Sequence, residues 1–470
     1  MAAVAEDFGG LDASQLRPLR EVRKGYTYFA EGDVLFAKIT PCMENGKGAI
    51  VPGLQHGHAF GSTEFHVLRP GNAIASKWLA YYISQPDFRR VARHNMTGTA
   101  GQLRVPSSWL STVGLPVPPR AEQERIVEKL EELLSDLDAG VAELKAAQRK
   151  LAQYRQSLLK AAVEGALTAD WRAAHGTPQE TGAELLQRIL SERRARWEQK
   201  QLAKFAEQGK VPPAAWQGKY PEPVAPDAAK LPTLPEGWVW ASVDQLAGVG
   251  TGVTPLRSNR GYFDSGDIPW TTSGALNDEI VASASDHVTK LAALECRLEL
   301  YPAGTLLVAM YGEGKTRGKC AELAFPSTIN QAIAAITFEG SAHDVRPHVK
   351  TFFLDAYEAM RKQASGGVQP NLNLQIIKAL PVPVPPLAEQ AEIRGQLQEQ
   401  LFSYGRFKDS IAVALVQAAA QRKNLLKAAF AGQLVPQDPN DEPASDLLAR
   451  IRAERASNGG AAPRRRRKTA

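Results

Sequence analysis

The sequence predicts an α+β fold in which two mixed α/β domains are joined by two long, antiparallel coiled-coil helices. Three observations predict it. Distant segments repeat at one offset, leucines recur every seven residues through a proline-free stretch, and short β-rich runs with glycine- and lysine-rich turns precede each such stretch.

The repeat comes first. LPVPPRAEQERI at Leu115–Ile126 returns as VPVPPLAEQAEI at Val382–Ile393, and LLKAAVEGAL at Leu158–Leu167 returns as LLKAAFAGQL at Leu425–Leu434. Both pairs are separated by 267 residues (Leu115 to Val382, Leu158 to Leu425), so the polar middle keeps its length. Equal spacing over divergent sequence predicts one rigid element per copy. Prolines stand just ahead of it, where they stop what came before. Ala121 to Glu164 contains no proline and a single glycine, Gly140. Leu130, Leu137, Leu144, Leu151 and Leu158 form a seven-residue stripe, widened by Leu133, Val141, Tyr154 and Ala161. The second copy carries Ile393, Leu397, Tyr404, Ile411, Ala418 and Leu425. A helix of this length, roughly 60 Å, cannot bury its stripe alone. Two such stripes in one chain predict a mutual pair.

The domains come next. GDVLFAKITPCMENGKGAI at Gly32–Ile50 is similar to GTLLVAMYGEGKTRGKCAEL at Gly304–Leu323, and GSTEFHVLRP at Gly61–Pro70 parallels PSTINQAIAAI at Pro326–Ile336. VLFAKI and LLVAM read as strands. Trp78–Ile83 and Phe352–Met360 read as short helices, and each PxPP as a hinge into the long helix. The predicted organisation is a first domain over 1–118, a long helix over 119–168, a charged helical segment and Pro/Ala-rich linker over 169–230, a second domain over 231–385, a second long helix over 386–432, and a C-terminal helix with a basic tail over 433–470.

Composition narrows the function. The chain has 470 residues and a formal net charge of +6, with a pI near 9.0, a balance that suits a nucleic-acid partner. Cys42, Cys296 and Cys320 form no CxxC pair, so neither a zinc site nor a disulfide framework is expected, and a reducing cytoplasm fits. The start has no charged head followed by an apolar core, and no apolar run approaches the ~20 residues of a membrane span. RRRRK at 464–468 reads as a solvated end or a weak phosphate contact. No zinc cluster, GxGxxG, G-x-S-x-G or HExxH is present. GEGKTRGK at Gly312–Lys319 has the wrong spacing for a phosphate loop. His56 and His58 read as a surface turn. No catalytic residue, metal ligand or bound cofactor is expected.

Reading DNA takes donors on phosphates and amide or guanidinium groups at base edges. The loops supply Lys38, Asn45, Lys47, Thr63, Asn95, Gln102 and Arg104 in the first domain. In the second they supply Lys315, Arg317, Lys319, Asn330, Gln331, Gln369 and Asn371. Lys47 and Lys319 also read as plain solvated charges, and Thr63 and Thr328 as sheet-pairing residues. His94–Arg104 and Gln363–Asn373, polar and glycine-bearing, could touch DNA or brace the long helix.

With its duplicated PPxAEQ-to-LLKAA helices, its GDVLFAKITPCMENGKGA and GSTEFHVLRP segments and LPEGW at Leu234–Trp238, the chain resembles the specificity (S) subunits of type I restriction–modification systems. The resemblance covers nearly the whole chain. It implies two target-recognition domains, each reading half of a split site in double-stranded DNA, and long helices that set the spacer and dock two methyltransferase (M) subunits. Restriction (R) subunits would complete the machine. S-adenosylmethionine, ATP and Mg would belong to those partners, with base flipping and methyl transfer in M. One departure stands out. Leu234 to Gly304 spans about 70 residues, whereas only 31 precede Gly32, with no LPEGW-like opening. The first recognition domain is therefore expected to be N-terminally short, with an unpaired edge. The alternatives are a defective specificity subunit, a non-catalytic coiled-coil scaffold, and a nuclease or methyltransferase.

Overall fold

The computed structural model describes residues 1–99, 101–311, 316–363 and 372–458. Lys315, Gln369, Asn371 and the RRRRK tail lie outside them. The chain forms two compact units, Met1–Ala147 with Asp409–Ala470, and Gln148–Lys408. Each unit thus contains part of both long helices.

In the first unit, strands β1 (Thr27–Ala30), β2 (Val34–Ala37), β3 (Gly48–Ile50), β4 (His58–Gly61) and β5 (Phe65–Leu68) form two sheets, β1-β4 and β3-β2-β5. All pairings are antiparallel. Every residue of β2 is buried. Side chains alternate across a strand, so Val34 and Phe36 enter one core with Ile83 and Phe88, while Leu35 and Ala37 enter another with Phe29 and Phe65. Helices Ser76–Ser84 and Pro86–His94 cover the first of these faces.

The second unit is larger. Its strands are β6 (Val239–Ser242), β7 (Gly248–Thr251), β8 (Ile268–Thr271), β9 (Ile280–Val281), β10 (Asp286–Val288), β11 (Leu306–Ala309), β12 (Cys320–Leu323), β13 (Thr328–Ile329), β14 (Ile333–Thr337) and β15 (Pro381–Val384). They form sheets β7-β14-β11-β12-β9, β10-β8-β13 and β15-β6. β11 repeats the logic of β2. Leu306 and Val308 face one core, Leu307 and Ala309 the other.

Three local readings change in the structure. The second PxPP is no simple hinge: Pro381–Val384 pairs antiparallel with β6, and proline is tolerated because β15 is an edge strand. Phe352–Met360 lies inside a 22-residue helix, Ala342–Gln363. The charged segment after the first long helix is not merely a junction. It forms helix Gly182–Glu207, started by a capping box of Thr181 and Glu184, and buries Leu185, Leu186 and Ile189 in the core of the second unit.

The long helices run Arg120–Glu164 and Leu387–Phe430, roughly 65 Å each at 1.5 Å per residue. Gly165 and Gly432, both at positive φ, follow their ends. In the first unit Ile126, Val127, Leu130 and Leu134 pack with Leu426 and Ala429. In the second Leu158, Leu159 and Ala162 pack with Ile393 and Leu397. Leu137, Leu144, Leu151, Tyr404, Ile411 and Leu425 are only half-buried.

The duplicated AEQ motif has a structural task. Gln123 donates from Nε2 to the carbonyls of Ala73 (3.0 Å) and Pro118 (2.9 Å) and accepts from the Ala75 amide at 2.9 Å. Gln390 donates to the Pro385 carbonyl at 2.8 Å. Each glutamine satisfies a proline carbonyl where the chain enters its helix.

Candidate nucleic-acid interface

Strand direction decides which loops meet. β2 runs opposite to β3 and β5, so the end of β2 lies beside the starts of both. Lys38, Lys47 and Thr63 therefore gather at one end of that sheet. Gln102 and Arg104 join them: the Leu103 carbonyl accepts from the Thr40 amide, and Arg104 bridges to Ile39. Among the described residues, no hydrogen bond or ion pair engages the ammonium of Lys38 or Lys47. Arg104 is committed differently. Its guanidinium grips Glu64 through two 2.9 Å bonds, which hold the Glu64 carboxyl below its ordinary pKa. His66, on β5, donates from Nε2 to the Val105 carbonyl, and burial depresses its pKa.

Two first-domain candidates are occupied by structure. Asn45 donates to Glu6 at 2.9 Å. Asn95 caps helix Pro86–His94 by donating to the Val91 carbonyl at 2.9 Å.

The second unit builds a corresponding edge. β7 and β11 run opposite to β14, and β12 opposite to β11. The end of β7, the start of β14, the end of β11 and the start of β12 thus share one side, which carries Thr251, Gln331, Tyr311 and Lys319. Asn330 belongs there too, since its amide donates to the carbonyl of Thr271 at the end of β8. Asn330 Oδ1 accepts from the Ala332 amide at 3.2 Å, and Gln331 Oε1 accepts from the Thr254 hydroxyl. Lys319 donates to Asn277 at 3.0 Å. Arg317 sits half-buried in the turn before β12.

Sequence reasoning missed Arg257. Its guanidinium lies 4.8 Å from the Phe263 ring centroid and 5.0 Å from that of Trp270, and pairs with Asp286 at 2.7 Å. The side chain is still 59% exposed, so stacking aims it without hiding it. A cation flanked by small polar residues in RSNRG was the available signal. The loop approaches the sheet closely: a Cβ on Gly252 would stand 1.7 Å from the Ile329 carbonyl oxygen, so only glycine fits. The site chemistry is donors and cations rather than nucleophiles. Cys320 is buried and its thiol is pushed up to about 12. Among the described residues no group of three His, Cys, Asp or Glu side chains could hold a metal ion, and no helix is long and apolar enough to cross a membrane.

Comparison with known proteins agrees with this architecture. The type I restriction enzyme EcoAI specificity subunit of Escherichia coli is 31% identical over 288 residues, 52% of this chain and 46% of that subunit. The chain thus spans about half the length of that relative. The EcoKI specificity subunit of Escherichia coli strain K12 is 27% identical over 90% of this chain and 83% of its own length. A solved structure described as the basis of complex assembly and conformational transition of the type I R-M system shares the fold. Its TM-score is 0.66 at 18% identity, over 92% of this chain and 90% of that one. The family model for the type I restriction modification DNA specificity domain matches twice, at residues 18–146 and 235–400. With both α/β domains and parts of both long helices inside those two matches, the chain belongs to the type I restriction modification DNA specificity family.

Proposed function

We propose that this chain is the DNA-specificity subunit of a type I restriction–modification complex, supplying address and no chemistry. The observation that carries the reading is the duplicated edge: Lys38, Lys47, Thr63 and Gln102 at the end of a sheet in one unit, and Lys319, Asn330 and Gln331 at the end of a sheet in the other, with Arg257 held against the separate sheet β10-β8-β13. The lysines hold phosphates, while the amides and Arg257 read base edges. Arg104 orders its loop through Glu64, and Asn45 and Asn95 shape theirs. Lys315, Arg317, Gln369 and Asn371 remain proposed contacts.

The functional divisions are two target-recognition domains, 1–118 and 231–385, and two spacer helices, 119–168 and 386–432, which run antiparallel. Asp138 meets Arg422 while Ile126 packs with Ala429 in one unit, and Tyr154 meets Gln400 while Ala162 packs with Ile393 in the other. Both support that direction. The helices dock two methyltransferase subunits, and restriction subunits join these in the cytoplasm. S-adenosylmethionine, ATP and Mg are bound by those partners.

Mapping methylated adenines genome-wide, with and without the gene, tests the reading. Loss of one split motif on deletion is expected. An unchanged methylome in a host whose methyltransferase is active would overturn it.

A further inference from the structure

In the second unit the LPEGW segment and β6 lie on surroundings that the repeat duplicates. β6 pairs with β15 along Val382 and Val384, both buried. Trp238 donates to Glu389 at 2.8 Å. A Cβ on Gly165, at the end of the first long helix, would stand 2.8 Å from the Pro235 ring and 2.9 Å from the Trp238 indole. Leu186 and Ile189 of helix Gly182–Glu207 share a core with Ala241 and Val243.

The first unit repeats the receiving side and leaves it bare. One flank matches: the Pro116 carbonyl accepts from Trp78 Nε1 at 2.9 Å, as the Pro383 carbonyl accepts from the buried His348 ring at 2.7 Å. The other flank does not. Leu115 and Val117, the counterparts of Val382 and Val384, are half-buried, and among the described residues no hydrogen bond engages their amides. Glu122 has no partner either, although it is almost wholly buried, and its carboxylate oxygens still reach the surface. Val435 stands in place of Thr168, and no basic residue follows before Arg450. Arg125, one turn on, is spent on Asp441 at 2.7 and 3.1 Å. A Cβ on Gly432, the counterpart of Gly165, would have nothing within 4 Å. ELLQRI at Glu184–Ile189 returns as DLLARI at Asp446–Ile451 in helix Ala444–Asn458, where Leu448 is 39% exposed.

We propose that the first unit holds an open seat for an extended segment of the LPEGWVWAS kind, supplied by another polypeptide. The segment adds a strand along Leu115–Val117, and its first tryptophan donates to Glu122. A strand fits because Leu115 and Val117 present unpaired backbone N–H groups. A tryptophan fits because the matching glutamate takes one, and because the space its ring fills beside Gly165 is open beside Gly432. A buried carboxylate without a donor is costly, so a donor gains most there. A separate source fits because this sequence has one LPEGW, and its Trp238 is buried on Glu389.

The test titrates the full chain into a fluorescently labelled LPEGWVWAS peptide and follows amide exchange. Saturable binding is expected, with slower exchange at Leu115 and Val117. Phenylalanine in place of the peptide's first tryptophan should weaken binding about tenfold, the loss of one hydrogen bond to a charged acceptor. Glu122→Ala should weaken it by a similar factor and make the two peptides bind alike, because the pair is then already broken. Leu448→Glu, an exposed change, should weaken both peptides. No saturable binding, full affinity in both protein variants, or exchange changes confined to Val382 and Val384 (a displaced β6) overturns the proposal. Self-association of the chain that the peptide reverses would put the segment of a second copy in the seat and overturn the separate source.

Discussion

In the first unit Glu122 is 5% exposed, and among the described residues no hydrogen bond or ion pair meets its carboxylate. In the second, its counterpart Glu389 accepts from the Thr168 hydroxyl at 2.7 Å, from Arg172 at 2.7 and 3.0 Å, and from the Trp238 indole at 2.8 Å. The motif around both is the same AEQ. What differs is what the fold brings to it. Trp238 arrives from the LPEGW segment that leads into β6, and β6 pairs with β15. Among the described residues Leu115–Pro119 forms no strand. Its neighbourhood is served by side chains instead, with Trp78 Nε1 donating to the Pro116 carbonyl at 2.9 Å and the Tyr82 hydroxyl to the Gly114 carbonyl. One repeated sequence can therefore be a four-bond hub or a plain buried residue, according to its surroundings.

The largest separation between the units should come from the glutamates. Glu389→Ala strands the Arg172 guanidinium and two further donors, and should cost about 3–5 kcal/mol. Glu122→Ala should change stability by no more than about 1 kcal/mol. Urea unfolding of both variants measures the difference, and similar losses would break the comparison.

Acid should act next. The folded-state pKa of His348 is depressed to about 4, below the ordinary ~6.5 expected when unfolded. Between those values the unfolded chain binds a proton that the folded chain refuses, so stability falls as pH drops through that window. The loss should reach about 3 kcal/mol near pH 4. Unfolding midpoints from pH 7 to 4 should fall less steeply in His348→Gln than in the wild type.

The glutamines sharpen the contrast in the opposite sense. Gln123 makes three hydrogen bonds and Gln390 one to its proline carbonyl. Gln123→Ala leaves the Ala75 amide unsatisfied and should cost about 1–3 kcal/mol. Gln390→Ala should cost about 1 kcal/mol. Thermal melts ranking Gln390→Ala as the worse change would contradict the geometry.

The smallest effect belongs to the edges. If Lys47 holds a phosphate, Lys47→Ala should reduce the slope of log affinity against log salt by about 0.9. The same slope for Arg104→Ala should stay close to wild type, because Glu64 already occupies that guanidinium.

Much was legible along the chain because the signals are local. The seven-residue stripe and the absence of proline predicted long helices over 119–168 and 386–432, which the structure forms at Arg120–Glu164 and Leu387–Phe430, and VLFAKI and LLVAM read as strands because buried β-rich runs are short and bounded by turns. The offset between the copies announced two α/β domains before any packing was known. Other outcomes depended on partners far away in sequence. Arg104 and Glu64 are 40 residues apart, and Thr168 and Glu389 are 221 apart. No local period encodes such pairs. The sequence by itself determined the long helices, their duplication, the central strand of each domain and a set of candidate donors. Only the tertiary structure decided that Arg104 pairs with Glu64, that Asn95 donates to the Val91 carbonyl, and that Arg257 pairs with Asp286 over two aromatic rings. It also decided that one of two matching glutamates holds a hub together. Exposure and hydrogen-bond partners belong to the packed chain, not to any segment of it.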